Sequence, residues 1–133
     1  AAVLGHEIGH VVEKHSLKAV QRQMFAQFGL QIMATLLGDG GLSQGLLLKA
    51  SELSASLLLL KNSRVNELQA DVDGVRIMRL SGYDPHAMVD VQRMFLAEAQ
   101  GKSSLAILST HPPSQERIDV IKKAIANPDF RWE

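Results

Sequence analysis

The chain has 133 residues, 46% of them hydrophobic, which is enough for one domain with a core of its own. Fourteen lysines and arginines balance fourteen aspartates and glutamates, so the formal net charge is zero and no basic surplus argues for a nucleic-acid partner. There is no cysteine, which excludes disulfides and thiolate metal sites; any metal has to be held by histidine and carboxylate.

The chain opens Ala1-Ala2-Val3-Leu4-Gly5, with neither an initiator methionine nor the charged start and apolar run of a signal peptide. It therefore reads as a piece of a longer protein, with any targeting signal upstream. Ala1 to about Glu13 predicts a helix with an apolar face at Val3, Leu4, Ile8, Val11 and Val12. Leu17 to Leu37 is a second helical pattern that can continue the first, and Gly38-Asp39-Gly40-Gly41 ends it, because clustered glycines favour turns. Leu42 to Leu60 predicts a third helix, apolar on most sides and so expected to be buried. Lys49 and Glu52 interrupt it, and no stretch reaches the roughly 18 uninterrupted apolar residues of a membrane span.

Ser63 is the expected cap of a fourth helix running to about Leu80. Ser81-Gly82-Tyr83-Asp84-Pro85 is a stop followed by a start, with Pro85 in the first turn of a helix over His86 to Ala99. Gly101 to Thr110 reads as a loop. Pro112 and Pro113 keep His111 in extended backbone. Ser114 to Ala126 predicts the last helix, striped by Ile118, Ile121 and Ile125. No strong strand and no repeat emerges, so the expected class is all-α.

The chemistry concentrates first in His6-Glu7-Ile8-Gly9-His10. Histidines at i and i+4 share one helix face and can reach one ion, at about 2.0–2.1 Å for zinc. Glu7 borders that face, where a carboxylate can take a proton from water activated by the ion without binding the ion itself. Gly5 and Gly9 are costly inside a helix, by about 1 kcal/mol against alanine, so something is expected to approach this helix closely. Catalytic zinc usually has three protein ligands. Candidates for the third are His15, His86, His111 and the carboxylates. Among the latter, Glu67 and Asp71 are four apart on one face, where Glu67 can bind the metal while Asp71 accepts the free N–H of a ligand histidine. The alternative for that pair is a solvated acidic face. His15 has rotated about 140° off the ligand face and is expected to pack or face solvent. His86, at a helix start, is expected to be exposed.

Three blocks, in order, carry a resemblance: Leu4-Gly5-His6-Glu7-Ile8-Gly9-His10; then Ser63-Arg64 through Glu67-Leu68-Gln69-Ala70-Asp71 with Gly74; then Ser109-Thr110-His111-Pro112-Pro113 with Glu116-Arg117. Over nearly its whole length the chain resembles the zinc metallopeptidase family of the prenyl-protein (CAAX) endopeptidases, the bacterial heat-shock protease HtpX and related periplasmic proteases. That resemblance implies His6, His10 and Glu67 as zinc ligands, Glu7 as general base, and Asp71 beside a ligand histidine. It further implies His111 steadying the oxyanion and Arg117 organising the site. For His111 and Arg117 a purely structural role stands beside the functional one. The family normally has strands before the metal helix, and these are not in this sequence.

The expectation is a single zinc metallopeptidase catalytic domain over residues 1–133 that hydrolyses peptide bonds of protein or peptide substrates in protein quality control. Its expected place is the bacterial periplasm or cell envelope, with membrane association only through the upstream segment. The alternatives are a non-catalytic zinc-stabilised helical interaction domain, against which Glu7 argues, and a helical scaffold without metal.

Overall fold

Proline is confined to four positions, and long stretches of leucine, alanine, glutamine and valine leave helix as the favoured backbone. A computed structural model describes residues 1–37, 41–101 and 106–132. Its elements are α1 (Ala2–Val12), α2 (His15–Leu37), α3 (Gly41–Leu80), α4 (His86–Gln100), α5 (Ala106–Thr110) and α6 (Gln115–Ala126). No strand occurs among the described residues, in agreement with the all-α expectation.

The helices fall into two compact units, one of residues 1–13 with 65–133, the other of residues 14–64. In the first unit α4 packs on α6 and on α1. Its core joins Leu68, Val72, Val75 and Met78 of α3 to Met88 and Val89 of α4 and Ile118, Val120, Ile121 and Ala124 of α6. Ser114 caps α6 by accepting a hydrogen bond from the Arg117 N–H at 3.2 Å, so this helix starts where its sequence says it should. Ile118 and Ile121 of the predicted stripe are buried and Ile125 is half-buried.

Gly5 and Gly9 mark a close approach of backbone to backbone in this unit. A Cβ on Gly9 would lie 2.7 Å from the Ala70 carbonyl oxygen and 3.0 Å from its Cα. A Cβ on Gly5 would meet the Gly74 carbonyl oxygen at 3.3 Å, and one on Gly74 the His6 nitrogen at 3.1 Å. The close approach expected from the two glycines is therefore α3 itself, whose Ala70 and Gly74 repeat the same four-residue spacing. Backbone meets backbone here, and only small residues fit.

That packing overturns the predicted apolar face of α1. Its buried residues are Ala2, Gly5, His6 and Gly9, whereas Val3, Leu4, Ile8, Val11 and Val12 are exposed, from 39% to 74%. Bulk cannot enter a crossing this tight, so the helix buries its small and ligand-bearing stripe instead.

Other expectations also shift. Ser63 caps nothing: α3 is one helix of 40 residues through it, because a lone serine without a neighbouring glycine or proline is tolerated in a helix interior. α1 and α2 are separate, broken at Lys14, whose φ of 55° is left-handed backbone. Pro85 is the N-cap of α4 rather than within its first turn, and the Asp84 Oδ1 accepts from the His86 N–H at 2.9 Å. A short helix, α5, occupies part of the expected loop before Thr110. The turn expected at Gly38 to Gly40 and the burial expected of Leu42 to Leu60 lie outside the described residues.

In the second unit, α2 has apolar side chains all round and shows Leu17, Val20, Met24, Phe25, Phe28, Ile32, Met33 and Leu36 to solvent. His15 is buried there, and so packs as expected. No described helix is long and apolar enough to cross a membrane.

Candidate metal centre

The crossing of α1 over α3 sets two histidines against two carboxylates. His6 and His10, one turn apart, bring their Nε2 atoms to 3.1 Å of each other. Glu67 reaches up from α3, its Oε2 3.2 Å from His6 Nε2 and its Oε1 3.1 Å from His10 Nε2. His111, in the bend after α5, comes from the opposite end of the sequence and places Nδ1 3.1 Å from both Glu67 oxygens. His6, His10, Glu67 and His111 together offer ligand atoms that all lie within 4.8 Å of one another.

These residues fit zinc. A tetrahedral ion bonded at about 2.0–2.1 Å holds its ligand atoms about 3.3–3.4 Å apart. The three separations among His6, His10 and Glu67 are 3.1–3.2 Å, close to that spacing. The donors are nitrogen and oxygen, as zinc accepts, and Glu67 is 5% exposed, so its charge is not neutralised by solvent.

A buried layer stands behind the ligands. Asp71, one turn after Glu67, is fully buried and lies 2.9 Å from His6 Nδ1. Arg117 of α6, 3% exposed, grips the same carboxylate with two hydrogen bonds, Nε to Oδ2 at 2.7 Å and Nη2 to Oδ1 at 2.8 Å. Its Nη1 lies 3.0 Å from Glu67 Oε2 and donates to the Pro112 carbonyl at 3.3 Å. One guanidinium thus ties α3 to the segment that carries His111. Fork-shaped pairing of this kind is what arginine provides and lysine does not.

The charges explain the titration. Burial disfavours charge on His6, but hydrogen bonds to Asp71 and Glu67 outweigh it and raise its pKa from 6.5 to about 9. Burial would also raise Glu67, yet hydrogen bonds from His10 and His6 and the charge of Arg117 hold it well below the usual carboxylate range. Burial opposes the charge of Arg117 too, and its bonds to Asp71 with the charges of Asp71 and Glu67 raise its pKa further. In the protein alone a proton thus sits where a divalent ion would sit, and metal uptake would release it.

Glu7 is half-buried, and its Oε1 is 3.4 Å from His111 Nε2. The predicted site residues His6, Glu7, His10, Glu67, Asp71, His111 and Arg117 are therefore all brought together. His86 is exposed and bound to Asp84 at 2.8 Å, away from the group. Sequence reasoning missed Gln92 of α4, which lines a pocket with Glu7, His111, Met88 and Phe95. The available signal was a lone polar residue on the stripe Met88, Val89, Gln92, Phe95.

Comparison with known proteins agrees with this geometry. The profile described as Peptidase family M48 matches residues 1–125. The mitochondrial metalloendopeptidase OMA1 of Schizosaccharomyces pombe is 35% identical over 134 aligned positions, covering 100% of this chain and 38% of that protein. The beta-barrel assembly-enhancing protease of Escherichia coli K12 is 31% identical over 89% of this chain and 25% of its own length. The metalloprotease YcaL of the same organism is 31% identical over 94% of this chain and 48% of its own. The chain thus spans less than half the length of each. No solved structure matches it.

Proposed function

We infer the function from one premise, that the chain belongs to peptidase family M48, whose members depend on zinc: it is the catalytic domain, over residues 1–133, of a zinc metalloendopeptidase acting on protein or peptide substrates. The observation that carries this reading is the convergence of three ligand atoms at zinc-like spacing with a carboxylate, Glu7, beside them but outside the set.

His6, His10 and Glu67 would hold the zinc. When bound, the ion polarises a scissile carbonyl and lowers the pKa of a nucleophilic water. Glu7 takes the proton of the attacking water and passes it to the leaving nitrogen. Asp71 accepts the Nδ1–H of His6, which fixes the tautomer that leaves Nε2 free as a ligand. Arg117 helps keep Glu67 ionised and holds the Asp71 carboxylate in place. His111 donates to the oxygen that gains charge in the transition state; its Nε2 side faces Glu7 and so the substrate. Quality control of proteins in the bacterial envelope is part of this reading, supported by a relative named for β-barrel assembly; it sets the chain with the periplasmic proteases of the family.

Zinc content and casein hydrolysis, measured on the full-length protein, test the assignment. Glu7→Gln should keep one zinc and lose hydrolysis, Glu67→Gln should lose zinc, and His111→Ala should keep zinc while kcat falls about 10²–10³-fold. Near-wild-type hydrolysis in Glu7→Gln removes the general base, and zinc loss in His111→Ala makes His111 a ligand instead.

A further inference from the structure

We propose that α2 is a membrane-docking helix, which lays an exposed apolar face and its cationic start against an anionic lipid bilayer without crossing it. This goes beyond the peptidase reading and does not depend on it.

α2 is apolar on two sides. Ala19 and Leu30 are half-buried, whereas Leu17, Met24, Phe25, Phe28, Ile32 and Leu36 are exposed, Phe25 to 78%. At about 100° per residue, these six fall within an arc of about 120°. Within that arc the helix has only two uncharged polar residues, Gln21 and Thr35, and Lys18 stands at its start. One apolar face therefore runs along a helix of 23 residues. Single apolar side chains on a surface need no explanation, but a continuous face marks a place where something binds.

Charge selects what binds there. From Lys14 to Leu37 there are three cations, Lys14, Lys18 and Arg22, and no carboxylate. Residues 14–64 hold six lysines and arginines against two carboxylates, and the rest of the chain eight against twelve. The zero net charge thus divides into a formal +4 on the second unit and −4 on the first. Apolar side chains beside cations match acyl chains beneath anionic headgroups. A second copy seated symmetrically on the same face would set two positive units against each other, which repel. No described helix is long and apolar enough to cross a membrane, so α2 lies along the bilayer surface.

The test mixes full-length protein with vesicles of phosphatidylcholine alone, or of phosphatidylcholine and phosphatidylglycerol in equal parts, and measures bound protein by flotation. Binding should be tighter on the anionic vesicles and weaken with added salt. Lys14→Gln with Lys18→Gln should weaken it about 30-fold, near fivefold per cation. Phe25→Ser with Phe28→Ser should weaken it about 10- to 100-fold. Lys122→Gln with Lys123→Gln, exposed cations of α6, should leave it unchanged. The tryptophan introduced by Phe28→Trp should lose its added fluorescence when the acyl chains are brominated. That quenching reports contact by α2 itself, so it decides alone if the paired variants fail to fold or if the upstream segment holds the protein on both kinds of vesicle. Absence of quenching overturns the proposal. Equal losses from the α2 and α6 cation pairs also overturn it, because adsorption would then be diffuse. A concentration-dependent dimer that Phe25→Ser with Phe28→Ser dissolves, without vesicle binding, gives the face to a second copy and overturns it too.

Discussion

Two helices of the same unit follow opposite rules. α6 buries Ile118, Val120 and Ile121 and turns lysines outward, as its sequence pattern demands. α1 buries glycines and a histidine and turns valine, leucine and isoleucine outward. Both are short and both border the metal group. The difference is what each packs against. α6 meets side chains, where burial of apolar area sets the orientation at about 25 cal/mol per Å². α1 meets the backbone of α3, where steric fit and the three contacts of His6 and His10 with Glu67 and Asp71 set it instead. Hydrophobic periodicity reports the buried face only where hydrophobic packing decides it.

The largest expected effect joins the two helices. Arg117→Met removes the guanidinium from α6 and leaves Asp71 buried beside His6 with half its partners, so unfolding in denaturant should show a loss of about 3–5 kcal/mol. A loss below about 1 kcal/mol would mean that the α6 contact is dispensable to the α1 side. Ile121→Ala next probes packing alone: Ile121 is fully buried, and a loss of about 2–5 kcal/mol is expected with zinc stoichiometry unchanged. Coincident loss of zinc would erase the distinction between core helix and site helix.

Gly9→Ala probes the other rule. Its added methyl meets the Ala70 backbone at 2.7 Å, and since backbone cannot yield as a side chain can, about 1–3 kcal/mol should be lost together with zinc affinity, measured by competition with a chelator. Val11→Ser on the exposed side of the same helix is the control, within about ±0.5 kcal/mol. A neutral Gly9→Ala would show that the crossing is looser than its geometry.

The smallest effect is outside both helices. The fully exposed Asp84 has its pKa lowered, chiefly by the backbone N–H of His86 and then by the His86 side chain. A depressed carboxylate pKa stabilises the fold above the unfolded value of 3.8 and stops doing so as pH falls through the lower folded value. The Tm difference between the unsubstituted protein and Asp84→Ala should therefore be present at pH 6 and shrink below about pH 4. A difference independent of pH would assign it to helix capping without charge.

Much of the site was legible because its parts are local. The spacing His6–His10 and Glu67–Asp71 each puts two groups on one helix face whatever the rest of the chain does. Gly5 and Gly9 announced a close neighbour but could not name it, since spacing does not say which helix comes near. The bulky face of α1 misled because the pattern fits burial equally well in a helix that packs by side chains. Ser63 offered a cap that the uninterrupted helix-forming sequence around it overrode. Gln92 was overlooked because one polar residue on an apolar stripe is a weak signal; its burial shows only in the fold. Arg117 and Asp71 are 46 residues apart, a distance at which periodicity carries no information.

The grip of Arg117 also has a meaning for biosynthesis. His6, Glu7 and His10 leave the ribosome first, Glu67 later, and Arg117 only 111 residues after His6. Until α6 emerges and docks, Asp71 has no guanidinium, Glu67 no fixed cation, and His111 no anchored loop. A nascent chain that already displays all three proposed ligands therefore still lacks the clasp that organises them. The order of synthesis thus delays the assembly of the metal group until α6 has docked.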